Sequence, residues 1–358
     1  MNQRICSAEM TALLTGLMTA QWFSSTAAGF VDACGNAVFL AILLAGILLS
    51  LITCVSIVTA PQVGWLVACR RHSALRPFPL LAALLFLLLA ATALRDVLSM
   101  ISLSLLPKTP RWCTLLFLLP LLLAIGFWGT ASVSRTIKLL APLLIVLYLI
   151  VLVLSVWNQF NVYNFFPILG GGISAIGKTT FSALSVIAWI PLLWIHRPNL
   201  THPVRTGLRS CIYASILGVI GYLFYALLFP NGSTTDVAFP LHRLSISGGL
   251  SYAFQRVQAL FVFVWLPLQI AAIGTGLCTA VRCAADTFSL QRPQRLVPVL
   301  LLIIAALGFK DVDASPAWVR FLLQTNIQAL LLLPMLIPLF IGKIGELRHP
   351  KEESRHDA

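Results

Sequence analysis

Long apolar runs, almost free of charge, alternate along this chain with short polar and basic stretches. A helix that crosses a bilayer core of about 30 Å needs about 20 apolar residues. Runs suited to that task fall near 10–31, 37–59, 78–106, 112–133, 139–157, 179–195, 210–229, 257–281, 296–309 and 321–341. Their unbroken apolarity excludes the in–out alternation of a membrane β-barrel, and lipid allows a spanning backbone only the helix or the closed barrel. The pattern therefore predicts an all-α polytopic membrane protein: one integral domain over 1–358 with about ten transmembrane helices, ending in a charged tail at 342–358. The run 296–309 is short, so a tilted or re-entrant segment is an alternative there.

Composition agrees. Of 358 residues, 59% are hydrophobic and 10% charged, with a mean hydropathy of +0.94. A soluble domain carries about 25% charged residues, and a disordered chain is poor in hydrophobics. The net charge of +13 would suggest nucleic acid in a soluble protein. Here the basic residues cluster between apolar runs and read as topology signals, so no nucleic-acid partner is expected. An inside N-terminus puts 16 of the 24 Lys and Arg on the cytoplasmic side, with both termini cytoplasmic. The opening has no small-residue cleavage site, so the first segment is expected to stay as an anchor. Trp22, Trp65, Trp112, Trp157 and Trp318 near run ends read as interfacial anchors, and the eight cysteines as small buried hydrophobes. The six histidines fall in expected loops or the tail, where contact with surface or headgroups is the simplest reading.

Gly172 to Thr179 satisfies the phosphate-loop pattern G-x-x-x-x-G-K-[ST]. That loop works only between a buried strand and a helix, with a carboxylate to help hold magnesium. No soluble sheet is available, so nucleotide binding is declined and Gly170–Gly172 read as flexible chain before the sixth span. No nucleophile elbow or zinc-binding helix motif occurs; no enzyme activity, cofactor or metal is expected.

Polar residues inside spans are costly and mark function or helix packing. The first span carries Thr11, Thr15 and Thr19 at i+4 spacing, with Gly16, Gln21 and Ser24. The sixth holds Ser182, Ser185 and Trp189, and is interrupted by Pro191. Interrupted spans at matching places in two halves point to a transporter-type binding site. Spans one and six would be that pair in a five-plus-five inverted repeat. Arg95 and Asp96 lie inside the third span if it stays helical to Leu106, and are interfacial if it ends near Leu94. Gln255, Arg256 and Gln258 open the eighth span; with Asp96 they are candidates for coupling or gating. Glu9 reads as a helix N-terminal charge beside a Ser7 cap.

Several segments together resemble the B subunit of spore-germination nutrient receptors, the endospore germination permease family. They are L-R-D-V-L-S-M-I-S-L-S-L-L-P-K-T-P from Leu94, N-x-Y-N-F-F-P-I-L-G-G-G-I from Asn161, and the stretches F-P-L-H-R-L-S-I from Phe239 and F-Q-R-V-Q-A-L-F-V-F-V-W from Phe254. The resemblance implies the amino acid-polyamine-organocation transporter fold with discontinuous helices one and six. It also implies the inner membrane of the spore, a membrane A subunit and a lipoprotein C subunit as partners, and nutrient sensing that triggers ion release. Two departures stand out. Gln255 and Gln258 replace glutamates common in the family, and the first span lacks the expected glycines and prolines around Gln21 to Ala27.

The combined expectation is a small zwitterion, such as an amino acid, at mid-membrane between spans one, three, six and eight. Thr15, Gly16, Thr19, Gln21 and Arg95 would meet its polar groups; Ser182, Ser185 and Trp189 would complete the pocket. A secondary amino acid permease is the alternative function, and a membrane scaffold for partner subunits a third.

Overall fold

The computed structural model describes residues 5–24, 26–62, 64–71, 75–157, 160–230, 239–247, 257–309 and 317–348. Among these residues the fold is all-α. Its helices are α1 (Ser7–Trp22), α2 (Thr26–Cys34), α3 (Val38–Thr59), α4 (Trp65–Arg71), α5 (Pro77–Met100), α6 (Arg111–Trp128), α7 (Thr130–Val156) and α8 (Ile173–Ala183). They continue as α9 (Pro191–His196), α10 (Pro203–Leu228), α11 (Pro240–Ser247), α12 (Val257–Thr287), α13 (Leu296–Phe309), α14 (Ala317–Leu322), α15 (Thr325–Leu330) and α16 (Leu332–Arg348). Among the described residues seven helical stretches are long and apolar enough to cross a bilayer: Gly29–Thr59, Pro77–Leu105, Arg111–Trp128, Thr130–Val156, Ile173–Asn199, Pro203–Leu228 and Val257–Thr287.

α12 packs along α5 and α7, and α10 packs along α3 and α1. The stretch Ile173–Asn199, α5 and α12 are mostly enclosed, whereas α6 turns Leu116, Phe117 and Trp128 outward. Such an apolar exterior is what lipid contact requires.

Helix limits depart from the apolar runs where backbone chemistry intervenes. The third span stays helical past Arg95: α5 continues as a π-helical turn, Ile101–Leu105, so the reading that ends it near Leu94 fails. Gly129 separates α6 from α7, which therefore begins before Arg135 and Lys138. The first apolar run is divided between α1 and α2. At the tail, α16 runs to Arg348, and the remainder lies outside the described residues.

Several side chains correct the sequence reading. Trp22 and Trp65 are buried, not interfacial, because their indole N–H groups donate to Ala183 O at 3.0 Å and Met335 O at 3.3 Å. Trp112, Trp157 and Trp318 are exposed. His196 closes α9 and His242 lies in α11; both are buried, not in loops. Cys6, not Ser7, caps α1, and Glu9 accepts from the Cys6 amide at 3.1 Å in a capping box. Cys6 is also exposed, unlike the buried Cys34, Cys69, Cys211, Cys278 and Cys283. Gly170 and Gly171 are close-packing residues: Gly171 N donates to Cys34 O at 3.2 Å. A Cβ on Gly171 would stand 2.6 Å from Ala33 O.

Candidate functional site

A helix end leaves its last carbonyls without intrahelical partners, a heavy cost inside a membrane. The end of α1 satisfies each of them without glycine or proline. Thr19 O accepts from the Phe23 amide at 3.0 Å, and Gln21 O from Ser24 Oγ at 2.7 Å. Ala20 O accepts from Gln269 Nε2 of α12 at 3.0 Å, and Trp22 O from Tyr222 Oη of α10 at 2.8 Å.

Opposite this end, α8 passes into a 3₁₀ segment, Leu184–Trp189. Pro191 explains the change of winding. It has no N–H to offer Ile187 O four residues back, so Ile190 N bonds Ile187 O at 2.9 Å instead. The Gln21 amide joins the two chain segments: its Nε2 donates to Ser185 Oγ at 3.3 Å and its Oε1 accepts from Trp189 Nε1 at 2.9 Å.

Between them lies a polar cavity of about 30 Å³. α1 contributes Leu17, Ala20 and Gln21, and Ser24 follows its end; α5 contributes Leu89, Thr92, Ala93, Arg95 and Asp96; Trp189, Gln269 and Ala272 complete it. Asp96 is buried and Arg95 half-buried. Neighbouring residues on one helix, they both reach the cavity wall, which places both signs of charge inside an apolar bundle.

The structure divides the residues expected to form one pocket. Gln21, Arg95, Asp96, Ser185 and Trp189 meet at or beside the small cavity. Thr15, Gly16 and Thr19 instead line a second cavity of about 460 Å³, with Ile137, Leu144 and Tyr148 of α7 and Tyr213 and Ile216 of α10. At about 100° per residue, the six residues from Thr15 to Gln21 leave them roughly 120° apart round the helix. Among the described residues the hydroxyls of Thr15 and Thr19 are buried without a hydrogen-bond partner. Ser182 is half-buried in α8 and lines neither cavity. Gln258 Nε2 donates to Ser104 O at 3.4 Å, while Gln255 and Arg256 lie outside the described residues. Gln269 and Thr92 were not anticipated. A solitary glutamine within the apolar stretch of α12 was the available signal for Gln269.

These features define a polytopic helical membrane protein with a small cavity lined by both signs of charge. The family model described as spore germination protein matches residues 71–312, about two thirds of the chain, and the protein belongs to that family. The match includes Arg95, Asp96, Trp189 and Gln269 but not α1. No curated protein matches the chain.

Proposed function

We propose that the protein is the nutrient-sensing membrane subunit of a spore germination receptor and binds an amino acid at the small central cavity. The observation that carries this reading is the presence of Arg95 and Asp96 on the wall of one small cavity beside the end of α1. A zwitterion presents the complementary pair: its carboxylate faces Arg95 and its ammonium Asp96. Gln21, Ser24 and Gln269 offer neutral hydrogen-bonding groups, and Trp189 an apolar surface.

In this reading α1 with α2, and α8 with α9, are the broken first and sixth spans of a ten-helix, five-plus-five inverted repeat. The chain resides in the inner spore membrane with both termini cytoplasmic. It works with the A and C subunits as a sensor, without enzymatic activity, and its response triggers ion release. A cavity of about 30 Å³ has room for only a water or two. Nutrient binding must therefore favour a more open arrangement, and this difference in affinity is what converts occupancy into signal.

Spores lacking the gene, scored by dipicolinate release against amino acids, sugars and salts, test the proposal. Loss of response to one nutrient, restored by the wild-type gene but not by a membrane-localised Arg95→Gln variant, is the expected result. An unchanged response in a strain without redundant receptors refutes it. Net uptake of the nutrient into vesicles would instead identify a permease.

A further inference from the structure

A larger polar cavity, of about 690 Å³, opens at the end of the bundle where α1 begins. Arg70 of α4, Gly129 to Ala131 at the start of α7, His196 at the end of α9, and Arg282 and Asp286 of α12 all line it. Arg282 lies thirteen residues beyond Gln269 on α12, about 20 Å along the helix, so this cavity is separate from the central one.

The charges on its wall do not cancel. Asp286 is ion-paired with Arg70. Arg282 is exposed in the cavity, and among the described residues it has no carboxylate at ion-pair distance; it bonds His196 Nδ1 at 3.5 Å. A guanidinium only donates, so Nδ1 accepts and the neutral ring carries its hydrogen on Nε2. Among the described residues that Nε2 is buried without a partner, as is Asp286 Oδ2. A polar wall left incomplete in this way calls for an explanation such as a ligand or water.

Helix α7 adds a positive end. It is 27 residues long, its N-cap Gly129 has no side chain to cap it, and its first turn contains no acidic residue. Backbone amides and the dipole at such a terminus favour an anion, and a guanidinium holds tetrahedral or planar oxyanions through paired N–H groups. We propose that this cavity binds a phosphate-class oxyanion between Arg282 and the start of α7. The remaining volume accommodates the rest of a phosphate ester, whether a soluble molecule or a lipid headgroup.

The test uses the full chain in nanodiscs and needs no nutrient. Inorganic phosphate is titrated in phosphatidylcholine discs at constant ionic strength, and a second arm replaces part of that lipid with phosphatidylglycerol without added phosphate. Saturable phosphate binding, competed by sulfate and weakened at least tenfold by Arg282→Gln, supports a soluble anion. Thermal stabilisation in the phosphatidylglycerol arm alone, abolished by Arg282→Gln, assigns the cavity to a lipid headgroup. Gln294 lines the cavity from an exposed turn, so Gln294→Glu adds a repelling charge without disturbing the core. It is expected to weaken either interaction several-fold and decides the matter if Arg282→Gln fails to fold. No interaction in either arm, or an interaction that Gln294→Glu leaves unchanged, overturns the proposal.

Discussion

Gln21→Leu removes the amide that ties α1 to the Leu184–Trp189 segment. Two hydrogen bonds are lost, at 3.3 Å to Ser185 Oγ and 2.9 Å from Trp189 Nε1. Because Trp189 is buried at 2% exposure, its N–H is left without an acceptor, which costs about 1–3 kcal/mol. Interhelical hydrogen bonds in membranes average about 0.6 kcal/mol, so the substitution should destabilise the bundle by about 2 kcal/mol, roughly thirtyfold in the folding equilibrium. Trp189→Phe removes the donor and should cost less. The two together should cost less than their sum, with a coupling of about 1 kcal/mol. Detergent-titration unfolding of the four variants in mixed micelles measures this cycle. A coupling below about 0.3 kcal/mol, within the range of independent sites, would refute the claim that this amide holds the two segments together.

Gln269→Leu, nearly equal in size, should cost about 1–3 kcal/mol by leaving Ala20 O without its donor, read in the same unfolding assay. Gly46→Val should reduce the monodisperse fraction in size-exclusion chromatography, because a Cβ on Gly46 stands 2.6 Å from Ser215 Cβ where α3 packs on α10; overpacking of this kind costs about 1–3 kcal/mol. His242 has its pKa pushed down to about 4 by burial, whereas the unfolded chain takes up that proton near 6.5. Its contribution to stability is therefore complete above about pH 6.5 and is lost as pH falls towards 4. A thermal-denaturation series across that window should slope for the wild type and flatten for His242→Phe, which keeps a ring against Phe261.

Apolar runs made the helical membrane fold legible, because lipid forces each spanning segment to satisfy its own backbone. The chain break at Trp22 was less visible: neither glycine nor proline produces it, and its carbonyls are satisfied by Gln269 and Tyr222 from distant helices. Partners hundreds of residues apart leave no local pattern. Pro191 did mark the irregular winding of the sixth apolar run, since its missing N–H acts locally. The Thr11–Thr15–Thr19 stripe was read correctly as one helix face, but the neighbours of that face depend on how α1 is rotated in the bundle. That rotation sends the stripe towards α7 and α10 and turns Gln21 towards Trp189. Trp22 and Trp65 illustrate the same limit: a tryptophan near the end of an apolar run suits an interface or a core equally well, and here carbonyls at Ala183 and Met335 decide for the core.

On the proposed reading, the energetic demands of signalling bear on both charges at the central cavity. Turning a receptor from one open molecule in a hundred to ninety-nine requires about 5.5 kcal/mol of preferential binding to the open form. A hydrogen bond to a charged group contributes about 1.5–3 kcal/mol, so pairing a zwitterion with Arg95 and Asp96 together supplies about 3–6 kcal/mol. Both pairings are then needed for nearly complete switching, and neither alone reaches the requirement. Arg95→Gln should therefore lower the greatest extent of the response as well as its sensitivity, so that saturating nutrient does not restore it. A variant that retained the full response at higher nutrient concentration would show that Arg95 strengthens binding to both forms equally and takes no part in the switch.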